Sequence, residues 1–144
     1  MKILVVEDNQ QHIDSAKKFF AEKGIEMWST ETLKGFISAI GDDHYDGVLS
    51  DVYFSYDGKY FPDEVPAGVA VLFICQSKGI PCVLVTAGFH HGKKYQWIHH
   101  MLGEMRLPSM ADVDNSNSEE PEAEAPVKDW ARALNSLTKI INQK

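Results

Sequence analysis

The chain has 144 residues, 44% of them apolar and 24% charged, enough for one compact core, and no apolar run is long enough to cross a bilayer. The formal net charge is −7, with no basic stripe of the kind a nucleic-acid surface requires. The opening MKILVVEDN has an apolar stretch too short for a secretory leader and meets two acids at once, which points to the cytoplasm.

The charge is uneven. Six acids lie between Asp112 and Pro126 without a Lys or Arg, and the remaining 15 acids nearly balance 14 bases. That segment is expected to be a solvated, flexible loop within a single domain spanning 1–144. Cys75 and Cys82 sit in apolar stretches outside any CxxC pair, as expected of reduced, buried thiols.

Lys2–Val6 is a short, β-branched apolar run and reads as a buried strand. Gln10–Lys23 follows as a helix, with Ile13, Ala16, Phe19 and Phe20 at helical spacing and Gly24 to end it. Ile25–Trp28 predicts a second strand. Thr30 predicts the cap of a helix over Glu31–Ile40, striped by Leu33, Phe36, Ile37 and Ile40. Gly47–Ser50 predicts a third strand, with Asp51 at its C-terminal end. Tyr53–Pro66, with five aromatics, two prolines and an Asp-Gly pair, predicts a long loop, a feature often functional. Gly68–Lys78 reads as a helix closed by Gly79, Ile80–Val85 as a fourth strand and Gly92–Met105 as a helix. Ser109–Val113 predicts a weak fifth strand, and Trp130–Ile141 a last amphipathic helix.

Strands alternating with helices imply a parallel sheet covered on both faces. Ligand sites in such sheets lie beyond the C-terminal ends of the strands, near a switch in strand order. The chemistry-bearing residues fall there: Glu7 and Asp8 after the first strand, Asp51 after the third and Thr86 after the fourth. Converging carboxylates repel unless a cation sits among them, and hard oxygen donors with open positions suit Mg²⁺. Asp51 could then attack a phosphoryl group, while Thr86 and a lysine take its oxygens.

The motifs ILVVEDN at Ile3–Asn9, GVLSD at Gly47–Asp51 and PCVLVTAG at Pro81–Gly88 resemble those of the response-regulator receiver family, in order and over nearly the whole chain. The resemblance implies a flavodoxin-like (βα)5 α/β fold, a five-stranded parallel sheet with helices on both faces. It implies that Glu7 and Asp8 hold Mg²⁺, that Asp51 accepts the phosphoryl group, that Tyr53 offers a backbone carbonyl to the metal, and that Thr86 contacts the phosphoryl oxygens. It also implies a histidine kinase or phosphotransfer protein as donor and an output through a further protein, with neither nucleic acid nor membrane contacted. Two departures stand out. The loop after Asp51 is long and aromatic, where the family has a short turn after Met-Pro. The family's Lys-Pro pair is absent from the fifth strand, so the lysine role falls on Lys128, followed by Asp129, and the switch aromatic three residues earlier falls on Ala125.

The alternative reading is a phosphorylation-independent pseudo-receiver that works as a protein-binding module. An aspartyl-phosphate phosphatase ranks last, because it needs an acid at position 53, which is Tyr. His90, His91, His99 and His100 read as surface residues. His91 and His99, two helical turns apart, are too distant to share an ion on one helix. Trp28, Trp97 and Trp130 are expected to be packed or half-buried.

Overall fold

The computed structural model describes residues 1–59, 65–113 and 124–144. Much of the acidic stretch and part of the 53–66 loop therefore lie outside the described residues. Four parallel strands alternate with helices: β1 (Lys2–Val6), α1 (Gln10–Glu22), β2 (Glu26–Thr30), α2 (Leu33–Asp42), β3 (Gly47–Ser50), α3 (Ala67–Lys78), β4 (Cys82–Leu84), α4 (Gln96–Glu104) and α5 (Trp130–Asn142). The sheet order is β2-β1-β3-β4, so the chain reverses direction of travel across the sheet at β1 and β3. None of the described helices is long and apolar enough to cross a membrane.

Alternation along β1 divides the core in two. Ile3 and Val5 pack with Phe20, Trp130, Ala133 and Leu137 under α1 and α5. Leu4 and Val6 point the other way, onto Phe36, Leu72, Ile98 and Leu102 of α2, α3 and α4. Cys75 and Cys82 lie in this second core as free, buried thiols, and their mutual hydrogen bond and burial hold the Cys82 thiol well above the usual range.

Several boundaries differ from expectation. The cap of α2 is Thr32, whose hydroxyl accepts the Gly35 N–H at 3.0 Å, while Thr30 remains in β2. Trp28 is 54% exposed because β2 is an edge strand, and Trp97 is also exposed on α4; only Trp130 is buried. The helix α4 starts at Gln96, after turns closed by the Gly92 and Tyr95 N–H groups on Phe89 and Gly92 carbonyls.

The expected fifth strand reduces to one parallel bridge, Val85 with Ala111. Ala111 donates to the Leu84 carbonyl at 2.8 Å and Thr86 to the Ala111 carbonyl at 3.0 Å, as a fifth strand would. The ladder then stops because Thr86 Oγ1 takes the Gly88 N–H at 3.0 Å, and Val113 N–H bonds the Gly88 carbonyl instead. The threonine two residues beyond β4 thus competes with the backbone for the next rung.

The loop after β3 is anchored at its described ends. Phe54 is fully buried, and the Ser55 and Tyr56 carbonyls accept the Leu33 and Lys34 N–H groups, so the loop satisfies the open N-terminus of α2. At its far end α3 starts against the Asp51 backbone. A Cβ on Gly68 would stand 2.0 Å from the Asp51 carbonyl oxygen and 2.8 Å from Val52 Cα.

Gly68→Ala is accordingly expected to cost on the order of 2 kcal/mol or more in urea unfolding. Gly103→Ala, where a Cβ meets open space inside a helix, should instead stabilise by roughly 0.5 kcal/mol. Equal effects at the two positions would contradict the close approach at Gly68.

Candidate functional site

The C-terminal ends of β1 and β3 lie side by side at the switch in strand order, and the residues that follow them face one cavity of about 200 Å³. Glu7 continues β1, its N–H bonded to the Thr30 carbonyl at 2.9 Å. Asn9 then caps α1, its Oδ1 accepting the Gln11 N–H at 2.9 Å and the His12 N–H at 3.3 Å. The Asn9 N–H in turn donates to Glu7 Oε1 at 3.1 Å, so the helix cap also orients the acid before it. Asp51 follows β3, with its N–H on the Val6 carbonyl at 2.8 Å and its Oδ1 accepting the Val52 N–H at 2.8 Å.

One carboxylate oxygen from each of Glu7, Asp8 and Asp51 lies within 4.8 Å of the other two. Lys128 reaches the same point from just before α5. Its ammonium donates to Glu7 Oε2 and lies 2.9 Å from Asp51 Oδ1. The lysine is 4% exposed, although the chain from Ala111 to Lys128 is long. The ends of that connection explain how it returns. Ala125 N–H bonds the Ala87 carbonyl at 2.8 Å, Asp129 caps α5 through the Arg132 N–H at 2.9 Å, and Trp130 Nε1 donates to Ser15 at 2.9 Å. Asp112 is buried rather than solvated, paired with His90 and Arg132.

The electrostatics follow from burial. Desolvation opposes the Lys128 ammonium, but Asp51 and Glu7 together hold its pKa above the usual lysine value. Burial, opposed by Lys128 and reinforced by the charge of Asp51, raises the Glu7 carboxyl to about 7. His12 lines the cavity, with its pKa lowered by burial and then by Lys128; its buried Nδ1 has no hydrogen-bond partner among the described residues.

Thr86 does not line the cavity; it is fully buried and hydrogen-bonded to Tyr95, which does. Tyr95 packs over Gly88, where a Cβ would come within 2.3 Å of the ring, and its hydroxyl donates to Glu124 Oε1 at 2.6 Å. Burial and then that bond raise its pKa. Tyr53 meets the Tyr95 ring edge-on at 5.7 Å and donates to the Lys94 carbonyl at 2.6 Å. The structure thus brings Glu7, Asp8, Asp51, Tyr53 and Lys128 to one cavity, with Thr86 behind Tyr95. Sequence reasoning missed Tyr95, Lys94 and Glu124, since no local signal tells that the connection after β4 and the start of residue 124 onward fold over the same opening. Asn9 was visible as a helix cap, though not as the group that orients Glu7.

Three oxygen acids and no soft ligand fit a hard divalent cation such as Mg²⁺. Glu7 sets a pH dependence. A carboxyl whose folded pKa lies above its unfolded value binds more protons folded, so its stabilising effect is full below about 4.5 and is lost as pH rises through about 7. In EDTA, the wild-type protein should therefore lose stability relative to Glu7→Gln between about pH 5 and pH 8, by on the order of 3 kcal/mol at most. A pH-independent difference in urea unfolding would contradict the buried carboxyl.

No protein-family model matches the chain, and no curated protein matches it in sequence. Solved structures do. The receiver domain of the Francisella response regulator 1452 is 15% identical with a TM-score of 0.63, over 99% of this chain and 97% of that one. A response regulator receiver domain protein from Clostridium thermocellum is 12% identical with a TM-score of 0.65, over 99% and 94%. The chemotaxis response regulator CheY4 of Vibrio cholerae is 14% identical with a TM-score of 0.58, over 96% and 97%. The single bridge in place of a fifth strand notwithstanding, the chain has the α/β fold of response-regulator receiver domains.

Proposed function

We propose that the protein is a response-regulator receiver that accepts a phosphoryl group on Asp51 in a Mg²⁺-dependent reaction and signals through protein contacts. The observation that carries this reading is the Lys128 ammonium, buried between Asp51 and Glu7, at the point where the carboxylates of Glu7, Asp8 and Asp51 converge. Asp51 Oδ1 is engaged by Lys128 and the Val52 N–H, which leaves Oδ2 as the nucleophile. Its attack on phosphorus forms an acyl phosphate, and the bond from phosphorus to the donor's leaving group breaks. Lys128 would neutralise one phosphoryl oxygen, and Thr86 would donate to another once its connection moves. Glu7 and Asp8, with the Tyr53 carbonyl, would hold the Mg²⁺, which supplies charge neutralisation for the transferring group.

The donor would be a histidine kinase or phosphotransfer protein. Tyr95, already beside Thr86, supplies an aromatic hydroxyl that Ala125 cannot, so the state of Asp51 would be read at α4 through Thr86 and Tyr95.

Incubation with acetyl phosphate and Mg²⁺ should add one phosphoryl group to the intact mass. Asp51→Asn and EDTA should each abolish the gain, and Lys128→Ala should slow it roughly 100-fold. A folded protein that gains nothing from acetyl phosphate or from any histidine kinase would instead be a phosphorylation-independent binding module.

A further inference from the structure

The histidines after β4 do not stand apart as helical spacing predicts. His90 and His91 precede α4 rather than belonging to it, and the turns through Gly92 and Tyr95 fold them back against His99 in its first turns. The ring centroids of His90 and His91 are 4.0 Å apart, those of His90 and His99 4.5 Å, and those of His91 and His99 5.4 Å. One ring nitrogen from each of the three lies within 4.8 Å of the other two.

A second observation bears on the chemistry. Asp112 is buried, and its Oδ2 lies 2.6 Å from His90 Nδ1 and accepts the His90 backbone N–H at 3.0 Å. Its Oδ1 is paired with Arg132 at 3.2 Å. A carboxylate only accepts, so Nδ1 of His90 carries the proton and the Nε2 lone pair is left for a cation. A histidine whose far nitrogen is held by a carboxylate is the arrangement that orients an imidazole ligand and raises its basicity. Three imidazoles without a competing thiolate suit Zn²⁺, with water in a fourth position, or its neighbours Ni²⁺ and Cu²⁺; they do not suit Mg²⁺.

We propose that His90, His91 and His99 form a transition-metal site of the Zn²⁺ class, separate from the carboxylate cavity and supported by Asp112. An ion there would tie the connection that carries Thr86 to the start of α4. The site involves none of the groups assigned to phosphoryl transfer, so either can fail alone.

The test is titration of the full chain with Zn²⁺ by calorimetry in millimolar Mg²⁺, with Co²⁺ absorption as a geometric readout. One ion should bind per chain with a tetrahedral Co²⁺ spectrum. The double variant His91→Ala, His99→Ala, whose side chains are not core, should lose binding at least 100-fold. Asp112→Asn should weaken it by about 10- to 100-fold, and Asp51→Asn should leave it unchanged. Zn²⁺ binding that survives the double histidine variant, or that disappears with Asp51→Asn, would overturn the assignment, as would failure of the wild type to bind at micromolar Zn²⁺.

Discussion

The buried Lys128 ammonium stands between two carboxylates from adjacent strand ends, and much of the molecule is arranged around keeping it there. Glu7 comes from the end of β1, Asp51 from the end of β3 and the lysine from the approach to α5, so one charge cluster adds a polar tie between three elements that also share the core under α1 and α5. Burying these charges is costly unless each has a partner, and removing one partner of such a cluster typically costs about 3–5 kcal/mol. The cluster therefore specifies the seating of α5 even if its net contribution to stability is small. Trp130 and Asp129 complete that seating, one by a bond to α1 and the other by capping the helix.

The cluster's position is a consequence of topology. Parallel strands deliver their C-terminal residues to the same edge, and the reversal between β1 and β3 opens a crevice there because their connections leave to opposite faces of the sheet. The two cores, one on each face, hold the strand ends rigid, and the missing side chain of Gly68 lets α3 begin directly against the Asp51 backbone.

Thr86 divides the other half of the site. By taking the Gly88 N–H it ends the pairing of β4 with the segment around Ala111 and releases the connection that carries Tyr95 over the cavity and the histidines away from it. Two clusters able to ligate cations of different chemical hardness thus follow from the same connections: oxygen acids after β1 and β3, imidazoles before and within α4.

The sequence by itself determined the alternation of strands and helices, because α1, α2 and α5 carry strong local apolar periods while β1 is a short continuous apolar run and α3 a longer one closed by Gly79. It also placed Glu7, Asp8, Asp51 and Thr86 at strand ends, because a buried run that stops at an acid or hydroxyl marks its own boundary. Tertiary structure decided what periodicity does not carry. Whether Lys128 reached the acids depended on the return of a long connection. Whether His90 and His91 met His99 depended on α4 starting at Gln96, since turns, unlike a helix, can bring neighbours of distant spacing into contact. Whether Ser109–Val113 became a strand depended on which acceptor claimed one N–H group. Each of these is a competition between partners far apart in the chain, settled by packing and hydrogen bonding rather than by the residues' own preferences.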